Sequence, residues 1–129
     1  MRPGRVSTRV GKKHQQDVQL GPHALTSDEP TDVGGDDAGP APHDFLLAAL
    51  GACTSITVKM YADRKGWPLE RVEVELEQGK VAGVHEIRRA IRLFGPLSDD
   101  QRAHLLEIAE KCPVHRTLTG TIRIDSRLL

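Results

Sequence analysis

Asp44-Phe45-Leu46-Leu47-Ala48-Ala49-Leu50-Gly51-Ala52-Cys53-Thr54-Ser55-Ile56-Thr57-Val58-Lys59-Met60-Tyr61-Ala62-Asp63-Arg64 is the stretch whose reading decides the fold. Leu46, Leu50, Cys53, Thr57 and Met60 recur at spacings of three and four, which predicts one face of a long α-helix. Phe45, Leu47, Ala48, Ala49, Ala52 and Ile56 make its first turns apolar nearly all round, as in a helix enclosed by its own fold. Tyr61, Asp63, Arg64 and Lys65 turn the pattern polar, and Gly66 followed by Pro68 supplies a stop. A central helix over residues 43 to 66 follows.

Downstream, Val72, Val74 and Leu76 alternate with Arg71, Glu73, Glu75 and Glu77, which predicts a strand with one dry face. Ile87, Ile91 and Leu93 keep that period after a turn at Gly83, so strands occupy 71 to 94. Arg89 falls on their apolar face and signals an edge, a bulge or a buried ion pair. Ser98-Asp99-Asp100-Gln101 has the form of a capping box and opens a second helix over 98 to 111, ended by Pro113. Residues 112 to 129 read as a Cys-Pro turn and a last strand, Thr121 to Asp125, with Ile122 and Ile124 on one side. Upstream, Arg5 to Val10 and Gln16 to Leu20 alternate around Gly11-Lys12-Lys13, a β-hairpin region within residues 1 to 26. Residues 27 to 42 collect Asp, Gly and Pro and predict a loop, long enough to be either an active-site wall or a linker. Helix and strand do not strictly alternate, so the fold class is α+β.

Composition narrows the function. The 129 residues suit a single domain around one core. Eighteen basic residues balance eighteen acidic ones, so charge points to neither nucleic acid nor a membrane surface. Aromatics are only 3%, too few for a base-stacking platform. The first residues lack the apolar core of a signal peptide, and the expectation is a cytoplasmic protein. There, thiols are kept reduced, so Cys53 and Cys112 read as catalytic, metal-binding or buried rather than as a permanent staple. They form no CxxC, yet they meet if the two helices pack together. Cys53 on an apolar face also has an ordinary packing reading. Gly51 and Ala52 allow close approach, and Thr54 and Ser55 supply hydroxyls for a thiolate or an oxyanion.

With Leu47-Ala48-Ala49-Leu50-Gly51-Ala52-Cys53-Thr54 and Cys112-Pro113-Val114-His115 both placed, the chain resembles the OsmC/Ohr family. Ser27-Asp28-Glu29-Pro30, Met60-Tyr61-Ala62 and Cys112 to Leu118 are more similar to the OsmC-like branch than to Ohr itself. The resemblance implies two antiparallel β-sheets wrapped around central helices in an intertwined homodimer. It also implies a thiol peroxidase for organic hydroperoxides. Cys53 would become a sulfenic acid, Cys112 would resolve it as a disulfide, and an external dithiol would reduce that disulfide without a cofactor.

The family's mechanism adds an arginine from the N-terminal hairpin, held by a glutamate at the start of the central helix. Arg5 and Arg9 are the hairpin's candidates, and Arg9 is favoured because it lies by the turn. The glutamate is missing: its position holds His43, and Asp44 or Glu29 is the available substitute. Leu50, Thr54, Met60 and His115 are the residues expected to line the substrate. His115 reads either as a proton donor or thiolate partner for Cys112 or as a capping side chain. Two other classes stay open: a zinc site using Cys53, Cys112, His115 and one of His23, His43 or His85, and a non-catalytic module binding a small apolar ligand.

Overall fold

The computed structural model describes residues 2–129. The chain divides into two compact units, one ending at Leu46 and the other running from Leu47 to Leu129. In the first, β1 (Gly4–Thr8), β2 (Gln16–Leu20) and β3 (His23–Ser27) form an antiparallel sheet in the order β1-β2-β3. Val6 pairs with Val18 and Val18 with Leu25, so the alternating apolar positions share one face.

The segment after β3 is fastened rather than loose. A 3₁₀ turn spans Thr31–Val33, and the chain folds around the buried carboxylate of Asp28. That carboxylate accepts N–H groups from Glu29 (2.8 Å), Asp36 (3.2 Å) and Ala38 (3.1 Å). The wrap is tight enough that a Cβ at Gly35 would sit 1.9 Å from the Glu29 carbonyl oxygen. Burial pushes the Asp28 carboxyl up, but the three N–H groups, with the field of His14, outweigh it and hold it below the ordinary value. A depressed folded-state pKa stabilises above the unfolded carboxylate's pKa and is lost as pH falls through the folded value. Asp28→Asn is therefore expected to melt earlier than wild type at about pH 7, with the gap closing toward about pH 3. Thermal melts at the two pH values check this, and a gap that widens in acid contradicts it.

α1 (Pro42–Lys65) follows the sequence reading closely at both ends. Pro42 opens it with a preset φ, and Gly66 stops it in the left-handed region at φ +70°. By length and composition α1 is long enough and apolar enough to cross a membrane, a property that enclosed core helices share. Its buried stripe within the second unit is Leu50, Thr54, Val58 and Ala62. That face is turned from the expected one: Leu50 is common to both, but Met60 is 57% exposed. A helix apolar nearly all round offers no periodic contrast to choose a face.

In the second unit, β4 (Arg71–Val81) and β5 (Val84–Phe94) form a two-stranded antiparallel sheet. Ala82 and Gly83 make the turn, both at positive φ, as a two-residue hairpin of this hand requires. Val72 faces Leu93, Val74 faces Ile91 and Leu76 faces Arg89. α2 (Asp99–Ala109) starts on the expected capping box, with Gln101 N–H donating to Ser98 Oγ (3.1 Å) and Ser98 N–H to Gln101 Oε1 (2.9 Å). Val58, Ala62, Leu69, Leu105 and Ala109 form the core, flanked by Tyr61, Trp67, Val72, Ile91, Leu93 and Leu97. Where a Cβ on Gly51 would stand, Leu76 Cδ1 lies 2.7 Å away, so α1 rides close on β4.

The last part of the chain differs from its sequence reading. Cys112-Pro113 does not merely stop α2; it starts α3 (Pro113–Thr119), with Cys112 as N-cap. Proline at the first helical position loses an N–H that has no intrahelical partner anyway. The expected strand Thr121 to Asp125 is not formed among the described residues. Its alternation is real, but Ile122 is 57% and Ile124 81% exposed, and a strand needs a neighbour to take its backbone groups.

Candidate active site

The second unit brings both cysteines together. Cys112, at the end of the turn after α2, is fully buried; Cys53, halfway along α1, is half-buried, and both are free thiols. The Cys53 side chain lies near enough to Cys112 to help lower its thiol pKa. Cys53 Sγ also lies 3.9 Å from the Thr57 hydroxyl one turn along. Ile56 and Met60, at three and seven residues from Cys53, share its helix face and are 58% and 57% exposed. An apolar surface therefore leads up to the accessible sulfur.

Cys112 has the richer set of polar contacts. His115 N–H donates to its sulfur at 3.3 Å, and the Thr54 hydroxyl lies 3.9 Å away. Arg89 supplies the positive charge from β5. Its side chain is only 9% exposed, and it donates to Thr54 Oγ1 (2.9 Å), His115 Nδ1 (3.0 Å) and Glu110 Oε1 (3.3 Å). Guanidinium groups only donate, so His115 Nδ1 must be the acceptor and the ring proton sits on Nε2. Nε2 in turn lies 3.6 Å from Glu110 Oε2. Burial pushes the Cys112 thiol up, but the His115 N–H, the Cys53 and Thr54 side chains and the Arg89 charge together hold it below the ordinary thiol value.

Several expected site residues have other partners. Arg9 pairs its guanidinium with Asp17 across the hairpin, its Nε donating at 3.0 Å. Asp44 serves the start of α1, where its Oδ2 accepts the Ala41 N–H at 2.9 Å, the reach-back half of a capping box. The Glu29 backbone joins the Asp28 turn, its carbonyl accepting from Asp37 N–H at 3.0 Å. Leu50 and Thr54 are buried. His115 meets Cys112 through its backbone, while its ring faces Arg89 and Glu110. Among the described residues, no group of three or more His, Cys, Asp or Glu side chains converges as a metal would require.

Arg89 and Glu110 are the members of this candidate site that the sequence reading does not assign. Arg89 gives a signal, a charge on the dry face of a strand: β5 is an edge of its two-stranded sheet, and the largely covered Arg89 side chain pairs with a Glu110 that is itself 60% exposed. Glu110 gave none, since it looks like any exposed residue at the end of a helix.

A model of the OsmC-like protein family matches residues 34–127, a span that includes both cysteines and every residue of the Arg89 cluster. The chain belongs to the OsmC-like family. Solved structures of OsmC-like proteins share its α+β architecture of two antiparallel sheets and three helices. The OsmC-like protein of Mycoplasma pneumoniae is 18% identical with a TM-score of 0.76, over 93% of this chain and 88% of that one. The organic hydroperoxide resistance protein OsmC of Legionella pneumophila is 19% identical with a TM-score of 0.67, over 93% and 90%. An OsmC-like hydroperoxide resistance protein from Jannaschia sp. is 24% identical with a TM-score of 0.55, over 98% and 91%. At these identities the likeness is one of fold. No curated protein matches the sequence.

Proposed function

We propose that this OsmC-like protein is a thiol peroxidase that reduces organic hydroperoxides, with Cys53 as the attacking thiol and Cys112 as its resolving partner. The observation that carries this reading is a reachable sulfur and a sealed sulfur in one neighbourhood, the latter touched by Thr54, the residue after Cys53, and held in a cluster of donors around Arg89. Other OsmC-like proteins described as hydroperoxide resistance proteins support the substrate class.

In the proposed cycle the Cys53 thiolate attacks one peroxide oxygen and the O–O bond breaks. The departing alkoxide takes a proton and leaves as the alcohol, and Cys53 becomes a sulfenic acid. The Cys112 thiolate then attacks that sulfur and expels hydroxide, which leaves as water once protonated, so a disulfide closes. An external dithiol restores both thiols, supplying two electrons. Ile56 and Met60 favour a peroxide with an apolar substituent over hydrogen peroxide. Activation of Cys53 by Arg9, supported by Asp44 or Glu29, remains part of the proposal, and so does a homodimer. The strand-like Thr121 to Asp125 segment, unpaired among the described residues, and the exposed apolar side of α1 are what a second copy would cover.

Reduced protein exposed to cumene hydroperoxide in stoichiometric amount is expected to lose two titratable thiols per chain, and to do so more slowly with hydrogen peroxide. Retention of both thiols contradicts the peroxidase and favours the ligand-binding alternative.

A further inference from the structure

The two sulfurs are unequal, and their inequality gives the disulfide a direction. We propose that the reducing thiol enters at Cys53, and that Arg89 is a positioning residue which, through Thr54 and its own charge, holds Cys112 as the thiolate that departs. The proposal rests on the thiol-disulfide cycle above and adds the order in which its last step runs.

Access decides the point of entry. A thiol must approach the attacked sulfur along the S–S axis from the side opposite the leaving sulfur. Cys112 is fully buried and Cys53 is half-buried, so the open approach ends on Cys53. The departing sulfur must then carry a negative charge, and the lower the pKa of the leaving thiol, the faster it leaves. The contacts that accept such a charge are gathered at Cys112: the His115 N–H at 3.3 Å, the Thr54 hydroxyl at 3.9 Å and the field of Arg89.

Thr54 links Arg89 to the sulfur. Its hydroxyl has a single proton, with the Leu50 carbonyl at 2.6 Å and Cys112 Sγ at 3.9 Å as the two acceptors. Arg89 donates to the same oxygen at 2.9 Å and occupies one of its lone pairs. The hydroxyl proton therefore remains available to swing from the carbonyl to a sulfur that has become charged. Glu110 and His115 hold the other arm of the guanidinium, which keeps Arg89 aimed at Thr54.

The step balances as follows. The incoming thiolate forms a bond to Cys53 Sγ while the Cys53–Cys112 bond breaks and its electron pair stays on Cys112. A second thiolate then attacks the mixed disulfide on the reductant's sulfur, releasing Cys53 and oxidising the reductant by two electrons. Cys53 and Cys112 recover their protons from solvent.

The test closes the disulfide with diamide, so it does not depend on peroxide chemistry. Oxidised protein is exposed briefly to glutathione, quenched in acid and mapped by peptide mass spectrometry. The expected result is glutathione on Cys53 and a free thiol on Cys112; glutathione chiefly on Cys112, or no disulfide formed by diamide, overturns the proposal. Reduction of the diamide-closed disulfide by dithiothreitol is expected to slow by about fivefold to tenfold in Arg89→Met. It should recover in Arg89→Lys and fall in the same direction in Thr54→Val. Wild-type rates in Arg89→Met and Thr54→Val likewise overturn it, and the wild-type mapping needs no variant to fold. If hydroperoxide fails to oxidise the thiols while these exchange results hold, it is the peroxidase reading that falls and not the direction of exchange.

Discussion

Replacing Cys53 by serine is expected to abolish hydroperoxide consumption, a loss of roughly a thousandfold or more, while the protein stays folded. The size of the effect follows from the nucleophile. A thiolate is polarizable and accessible in useful amounts near neutral pH, whereas a serine hydroxyl remains protonated without a strong adjacent base. Cys112 cannot take over, because it is fully buried. The fold should tolerate the change, since Cys53 lies beside the buried stripe of Leu50, Thr54, Val58 and Ala62 rather than in it. A steady-state peroxide assay together with a thermal melt checks both halves. Activity within a few-fold of wild type in a folded Cys53→Ser protein removes Cys53 from the chemistry altogether.

Cys112→Ser is expected to behave differently: one peroxide consumed per chain, then arrest. The first step needs only Cys53, so it survives. Resolution needs a second thiolate in contact with the first sulfur, and serine supplies none. The sulfenic acid then persists and, under excess peroxide, climbs to sulfinic acid. Mass spectrometry after one equivalent and after excess peroxide should show one and then two added oxygens on the peptide containing Cys53. The melting temperature should also fall, because the buried sulfur accepts the His115 N–H that caps α3 and a shorter hydroxyl reaches it less well. Sustained turnover in Cys112→Ser, in the absence of any added thiol, rules out the resolving role.

Much of this fold was legible in the sequence because local chemistry fixed it. Gly66 ends α1, Ser98 and Gln101 start α2, and the alternation of Val72, Val74 and Leu76 marks β4, each through interactions a few residues long. Two elements misled for opposite reasons. Cys112-Pro113 carried the signal of a stop, yet proline at a first helical position is equally a start. Thr121 to Asp125 carried the signal of a strand, yet among the described residues no strand pairs with it.

The candidate site was legible in its cysteines and in Thr54 and His115 beside Cys112, but not in the groups that join them. Its cation comes from β5, its hydroxyl from α1, its carboxylate from the end of α2 and its N–H from α3, and no spacing rule relates four separate elements. Arg89 announced itself as a charge out of place on an apolar strand face, but the partners that make the place suitable are tertiary. The resemblance had pointed to an arginine in the hairpin; Arg9 is there, and its guanidinium is committed to Asp17.

Gly51 has one more implication. With Leu76 Cδ1 only 2.7 Å from where its methyl would be, the gap between helix and strand is set by a hydrogen atom two positions before Cys53. Any larger side chain there would lever Cys53 outward or force Leu76 to rotate aside, retuning how readily the two sulfurs join without altering either of them. The smallest residue on the helix thus acts as a spacer, a place where the approach of the two thiols can be adjusted from behind.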